Sequence, residues 1–589
     1  MNDIDSLKSG AADLLKQFSQ RVDGMKGKPE YSTLIRRLDK IEAIRQAVDY
    51  FGKGEYQAIG VDGSMDQAET LEMLLFYVNA VAYSAPFVVT NDSVVFRSDR
   101  MKKEDAMGAS SAVPLWLEDL GLVADPTREI ESETDFTASL TQVSFSLMLL
   151  AELACARKAL EKESTRLLFL DRPISGTFQS LSRDVRYLLR SGTSALEEMN
   201  GTSESTLMGD LYLFNAVPFR NKSSPGHGSG KIHRIIDSML EGNSFKTACT
   251  LTGLEASSQN AVRMNLSKRG KQFNILEEDG SGDLLLRKGS NQYRERLSNL
   301  GRSLVERMFS GKSHPLRIGK KWLTTRDINA LNQVLLVDLI EKAEASKILL
   351  IGITKDTGST DVGRSVIGLM GLPPNLSPGL RHDRVMFTIL SATNETAFSP
   401  PWRSVGYDAC FATLSPNEET VSGKKPPLRA SRKFASREQL FVKFFFQTRA
   451  SEKTIFRSPV FMYDRSYVGS KDSSWDIEMD YVERGKVQTI NPYVEKQAKN
   501  PFDDMILYLL SLSDNPEVFE SYGHNILLFM ADKAAKADIK LKHGLLLGVI
   551  NLELTPLARR EKLFSVIRRY RDARSEMEQS RVGSGGDLE

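Results

Sequence analysis

Apolar residues recur three and four positions apart through residues 1–50, in LLKQF and LIRRLDKIEAIRQAVDYF. That spacing predicts helices, which would form an N-terminal arm for packing or dimerisation. The texture changes at Tyr56, where YQAIGVDGS reads as a short strand that hands an acid to its C-terminal end. A helix is predicted around Leu140–Lys162. RLLFLDRP, from Arg166 to Pro173, is a second apolar run that stops at an acid followed by Pro. It predicts a strand presenting Asp171 at a sheet edge.

Residues 221–230, NKSSPGHGSG, have the composition of a flexible linker. A compact unit follows. KIHRIIDSMLEG is helical, with Gly242 as a C-cap, and SFKTACTLTGL is a second short helix. Ser257 or Ser258 caps a third helix, SSQNAVRMNLSKRG, and FNILEEDGSGDLLLRKG is a hairpin around a Gly-rich turn. Helices followed by a hairpin in this order describe a winged helix. Gln259, Asn260, Arg263, Asn265, Lys268 and Arg269, with Lys271 beyond them, are candidates to face a DNA groove or phosphates. Winged helices also serve as protein-interaction modules.

A helix near Asp327–Ala345 leads into KILLIGITKDTGST, a strand that ends at Lys355 and a Gly/Ser loop. VMFTILSA, REQLFVKFFFQ and TIFRSPVFMYD read as sheet strands. NPFDDMILYLLSLS and GHNILLFMADKAAKADIKLKHGLLLGVI are helical, then apolar, and the polar tail after Arg574 reads as disordered. The fold class is therefore α/β, a mixed sheet flanked by helices.

At 589 residues the chain is too long for one core, so two to four units are expected. Its 78 basic and 76 acidic side chains leave +2, which neither demands nor excludes a nucleic acid, because binding needs only a local basic path. Cys155, Cys249 and Cys410 lie far apart without a CxxC pair, which argues against a disulfide framework or structural zinc and suits a reducing compartment. No stretch resembles a signal peptide, and no uncharged apolar run is long enough to span a bilayer. A cytoplasmic protein without a membrane partner is expected.

Hydrolysis of a phosphodiester needs an activated water and charge relief at the phosphate. Two divalent ions about 4 Å apart supply both, held by carboxylates from distant parts of a chain. Mn²⁺ and Mg²⁺ prefer such oxygen ligands. Asp62 and Asp171 close predicted strands, and Glu152 is a lone acid in the apolar helix LLAELACA. An acid in that setting is unfavourable unless it is paired or binds a cation. Asp532 and Asp538 lie in LLFMADKAAKAD. Each acid alone has an ordinary explanation as a turn residue or ion-pair partner; their order and contexts together are what point to a metal site. Lys355, at a strand end, is a sensible phosphate contact.

The succession of AIGVDGS, a helix bearing Glu152, and LLFLDRP resembles the opening of NurA nucleases. ILLIGITKDTGS, QLFVKFFFQTRASEKTIFRSPVFM and YGHNILLFMADKAAKADI continue the likeness, which covers most of residues 50–573. The resemblance implies a ribonuclease-H-like core in which Asp62, Glu152, Asp171 and Asp532 ligate two Mn²⁺ or Mg²⁺ ions. Lys355 would sit by the scissile phosphate and His543 near the site. It also implies a homodimer that resects DNA ends 5′ to 3′ and cuts single strands. A HerA-type hexameric ATPase would be its partner, in double-strand-break repair or phage defence. On this reading the chain divides into a helical arm (1–50), a nuclease core in two parts (51–225 and 301–573), the winged-helix-like insert (226–300) and a tail (574–589). The insert departs from the family pattern. The competing expectation is a non-catalytic DNA-binding adaptor for a translocase, and a weaker one is a related enzyme acting on RNA.

Three signals are discounted. GHGSGK lacks the first Gly and the hydroxyl of a phosphate loop, and no strand precedes it. The six histidines show no zinc spacing. Cys155, three residues after Glu152, reads as a core residue.

Overall fold

The computed structural model describes residues 2–560 apart from 24–28, 71–72, 126–129, 201–203, 221–229, 312, 373–381, 395–397, 410–413, 427, 431–439, 451–456, 473–478, 484, 491–492, 496–499 and 515–520. The predicted linker up to Ser229, Cys410 and the predicted tail lie outside these residues.

Helix α1 spans Asn2–Asp23. LIRRLDKIEAIRQAVDYF is not one helix. Ile35–Arg37 is a strand, β1, and helix α2 runs Lys40–Phe51. Asp39 sets the break by capping α2, its side chain accepting the Glu42 amide. Tyr31, Leu34 and Ile35 are buried, so this segment belongs to the body of the fold.

Strands β2 (Gly54–Thr70) and β3 (Met73–Val89) pair antiparallel along their whole length. β4 (Val94–Phe96) and β5 (Ala109–Trp116) both line the outer side of β3. Helix α3 (Glu133–Leu160) leads to β6 (Thr165–Leu170), which lies parallel to β2, and then to α4 (Ile174–Ser191) and α5 (Glu204–Ala216). The predicted insert follows as α6 (Gly230–Leu240), α7 (Phe245–Leu251), α8 (Ala256–Phe273) and the hairpin β7 (Leu276–Glu278) and β8 (Leu284–Leu286). Helices α9 (Tyr293–Ser310) and α10 (Thr325–Ala345) precede β9 (Leu349–Thr354), which lies parallel to β6. Then come α11 (Asp383–Thr393), β10 (Trp402–Ser404), β11 (Phe441–Gln447), β12 (Phe461–Ser466), α12 (Pro501–Leu512) and α13 (Ile526–Arg560).

The result is a mixed sheet in the order β1-β10-β11-β12-β9-β6-β2-β3. Side chains alternate across it. Ile59, Val61, Leu168 and Leu170 share a core with α3, α4 and α10, while Ala58, Leu167, Phe169, Ile351 and Ile353 pack with α2, α12 and α13 on the other face. Helix α3 is wedged between β2–β3 and α10, which explains its apolar surface all round. By length and composition it could cross a membrane, yet two thirds of that stretch is buried within the fold.

VMFTILSA, expected as a strand, lies in α11. Among its buried residues, Asp383, Met386, Phe387 and Leu390 follow helical spacing, and three successive apolar residues hid that period.

Candidate active site

Two glycines on β2 shape the site. Asp62 does not end the strand as its Asp-Gly pair predicts; it sits mid-strand opposite Val81, with Gly63 opposite Ala80. Pairing to β3 overrides the local turn preference. Gly60 and Gly63 point to opposite faces of β2. A Cβ on Gly60 would lie 2.7 Å from Leu527 Cβ on α13, and one on Gly63 would lie 2.6 Å from Glu152 Oε1 on α3. The missing side chains let one helix approach each face of the strand beside Asp62. Each of those helices carries an acid: Glu152 on α3 and Asp532 on α13.

Asp171 follows β6 directly, and its amide donates to the Val61 carbonyl at 3.3 Å, one residue from Asp62. Lys355 follows β9, the next parallel strand, and its Nζ lies 2.7 Å from Asp171 Oδ2. Asp62, Glu152, Asp171, Asp532 and Lys355 are thus brought together, and the other four all act electrostatically on Asp62. Burial pushes the Asp62 carboxyl up to about 9, and neighbouring Asp171 and Glu152 add to the rise. Burial also raises Glu152, against the opposing pull of Arg172. At Lys355 burial works against the charge, but Asp171 and then Asp62 and Asp532 outweigh it, so its pKa is raised.

Three of the four carboxylates hold a basic partner. Glu152 pairs with Arg172, Asp171 with Lys355, and Asp532 with Lys536 at 2.8 Å. Asp62 instead accepts the Gly63 amide at 2.8 Å. The donors are all carboxylate oxygens from four separate elements, and the notch at Gly63 admits Glu152 where a Cβ would collide. That chemistry fits a hard divalent cation. Among the described residues, no three His, Cys, Asp or Glu side chains stand close enough to form a ready metal cage.

His543 is not brought to the acids. Its Nδ1 bonds Asp66 Oδ2, eleven residues beyond Asp532 on α13 and about 16 Å along the helix. Asp538 accepts from Tyr77 Oη at 2.9 Å and Asn79 Nδ2 at 3.0 Å, which ties α13 to β3. Arg263, Lys268, Arg269 and Lys271 lie on α8. Arg263 bonds the Gly282 carbonyl in the β7–β8 turn, Arg269 contacts Gln272, and Lys268 and Lys271 are exposed. Cys155 is a fully buried free thiol, pushed up to about 12 by burial.

Two residues passed over in the sequence, Arg172 and Asp464, shape the site, and His524, at a helix entry, packs near Lys355. Arg172 is the counter-ion of Glu152, and its adjacency to Asp171 was the available signal. Asp464 on β12 accepts the Ile174 and Ser175 amides at 2.9 and 2.8 Å and so fixes the start of α4 just after Arg172 and Pro173. His524, which precedes α13, is buried and stacked on Phe461, with neither ring nitrogen hydrogen-bonded. Burial and then Lys355 lower its pKa to about 3.

No protein-family model and no curated protein matches the sequence. Solved structures align with it over most of its length. The NurA nuclease from Sulfolobus solfataricus superposes with a TM-score of 0.39 at 9% identity, over 94% of this chain and 98% of that one. A crystal structure of NurA with manganese gives 0.33 at 11% identity, over 91% and 97% of the two chains. One of NurA bound to dAMP and manganese gives 0.31 at 11%, over 79% and 88%. Overlap this low leaves the chemistry to be read from the residues themselves.

Proposed function

We propose that this chain is a divalent-metal-dependent nuclease that cuts DNA. The observation that supports it is the convergence of Glu152, Asp171 and Asp532, with Lys355 among them, from separate elements around Asp62 on β2. Burying Asp62 and Glu152 beside two further acids destabilises a fold unless a cation repays them. Asp62, Glu152, Asp171 and Asp532 would hold Mn²⁺ or Mg²⁺, two ions on the reading the sequence resemblance gives. Such ions, when bound, supply an activated water and charge relief at the phosphate. Lys355, its charge secured by Asp171, contributes a fixed cation for a phosphate oxygen. Helices α3 and α13 close over both faces of β2 and shield Asp62 from bulk water.

On this proposal β5-β3-β2-β6-β9 is a ribonuclease-H-like core, three antiparallel strands followed by two parallel ones. The unit α6–β8 is a winged-helix-like module that contacts DNA through Arg263, Lys268, Arg269 and Lys271. The sequence resemblance extends the proposal to a homodimer that processes DNA ends with a HerA-type ATPase.

A second reading, a non-catalytic DNA-binding adaptor, draws support from one observation: three of the four acids already hold a basic partner. Digestion of end-labelled linear DNA with Mn²⁺, Mg²⁺ or EDTA separates the two. The nuclease reading expects shortening with Mn²⁺ or Mg²⁺ and none with EDTA. DNA binding without cleavage under either metal would favour the adaptor.

A further inference from the structure

The three basic partners in the acid cluster are not equivalent. Lys355 is raised by Asp171, Asp62 and Asp532 together, so its charge does not depend on a single carboxylate. Lys536 is 62% exposed and can turn into solvent. Arg172 has neither freedom. Its side chain is 17% exposed and its acid, Glu152, is 6% exposed.

The Arg172 backbone is also fixed on both sides. Asp171 precedes it, and Pro173 and the Asp464-capped start of α4 follow. The Arg172 carbonyl packs so closely over Gly352 that a Cβ there would lie 2.4 Å away. Movement of Arg172 is therefore side-chain movement about an anchored backbone.

A divalent cation on Glu152 would compete directly with the guanidinium for the same buried carboxylate, and like charges a few ångström apart repel strongly where water is excluded. We propose that Arg172 is an exchangeable counter-ion. It neutralises Glu152 until a divalent cation takes the carboxylate, and is then released to a phosphodiester of the substrate. The planar guanidinium matches two phosphate oxygens, which a lysine ammonium does not. The released charge stays next to Asp171, the partner of Lys355, so the site trades an internal ion pair for a two-cation phosphate grip. This rests on the metal-site reading above and assigns Arg172 a role within it.

The test is Mn²⁺ binding by calorimetry without DNA, on wild type, Arg172→Gln and Arg172→Lys, with circular dichroism to establish folding. Binding of a cleavage-resistant single-stranded oligonucleotide in Mn²⁺ is measured alongside. Removing the competing cation is expected to tighten Mn²⁺ binding about tenfold in Arg172→Gln. Arg172→Lys keeps the charge and loses the fork, so it is expected to bind Mn²⁺ as wild type does and the oligonucleotide about tenfold more weakly. Equal or weaker Mn²⁺ binding by a folded Arg172→Gln overturns the exchange and leaves the metal site standing. Absence of Mn²⁺ binding in all three proteins overturns both. Should Arg172→Gln not fold, wild-type oligonucleotide binding by Arg172→Lys overturns the proposal.

Discussion

His524 shows how much one side chain can carry. Its imidazole is buried on Phe461 without a hydrogen bond and titrates at about 3, because burial disfavours the charged ring and Lys355 adds repulsion. In the unfolded chain it takes a proton near 6.5. The folded state therefore binds fewer protons below 6.5, and stability is full above that pH and falls as pH drops toward 3. At pH 5 the loss from this residue is about 2 kcal/mol. His524→Phe is expected to remove that loss, so denaturant unfolding should show the variant gaining on wild type from pH 7 to pH 5. A gap that does not change with pH would contradict it. At this scale the sequence revealed the lone acids, because a carboxylate in an apolar run stands out. It did not reveal their partners. The Glu152–Arg172 pair exists only once β6 and α3 are side by side. His543, expected near the site only from the family resemblance, shares a helix side with Asp532 but lies three turns away.

Among elements, the approach of α3 to β2 decides the site. Gly63→Ala would drive a methyl to within 2.6 Å of Glu152 Oε1 and 3.0 Å of Met148 Cγ. It is expected to reduce stability by about 1–3 kcal/mol and cleavage by about a hundredfold, since small displacements of catalytic groups are amplified. Thermal unfolding and a cleavage assay on the same preparation check this; unchanged cleavage would mean that Glu152 is not needed where it stands. The strands β6, β9, β11 and β12 and the helices α3, α10, α12 and α13 were legible from periodicity. The length of β2 was not, because a local turn signal lost to seventeen paired positions. Nor was β1, whose three residues form a strand only by pairing with β10.

Across the whole molecule, the ionic network beneath α12 was invisible in sequence. Arg465, fully buried, pairs with Asp472 at 2.8 Å and Asp503 at 2.7 Å, and Arg403 with Glu495 and Asp504. These pairs lock α12 onto β10 and β12. Arg465→Met would strand two buried carboxylates and is expected to lose about 3–5 kcal/mol in urea unfolding; a loss under about 1 kcal/mol would contradict the network's role. The insert makes a separable prediction. Lys268→Ala with Lys271→Ala should weaken duplex DNA binding and lower its salt slope by about one per lysine, while cleavage of a short single strand stays unchanged. Unaltered duplex binding would make the unit a protein-interaction module.

The acids around Asp62 are proposed to cut DNA. The most direct measurement is cleavage of a labelled single-stranded oligonucleotide in Mn²⁺ by wild type and Asp62→Asn, with binding of the same oligonucleotide measured in parallel. Asp62→Asn keeps the shape and the neutral state that burial already favours, so the fold and DNA binding are expected to persist. Cleavage should fall about a thousandfold or more, as loss of a group central to transition-state stabilisation does. Equal cleavage by the two proteins would place the active site elsewhere and contradict the account.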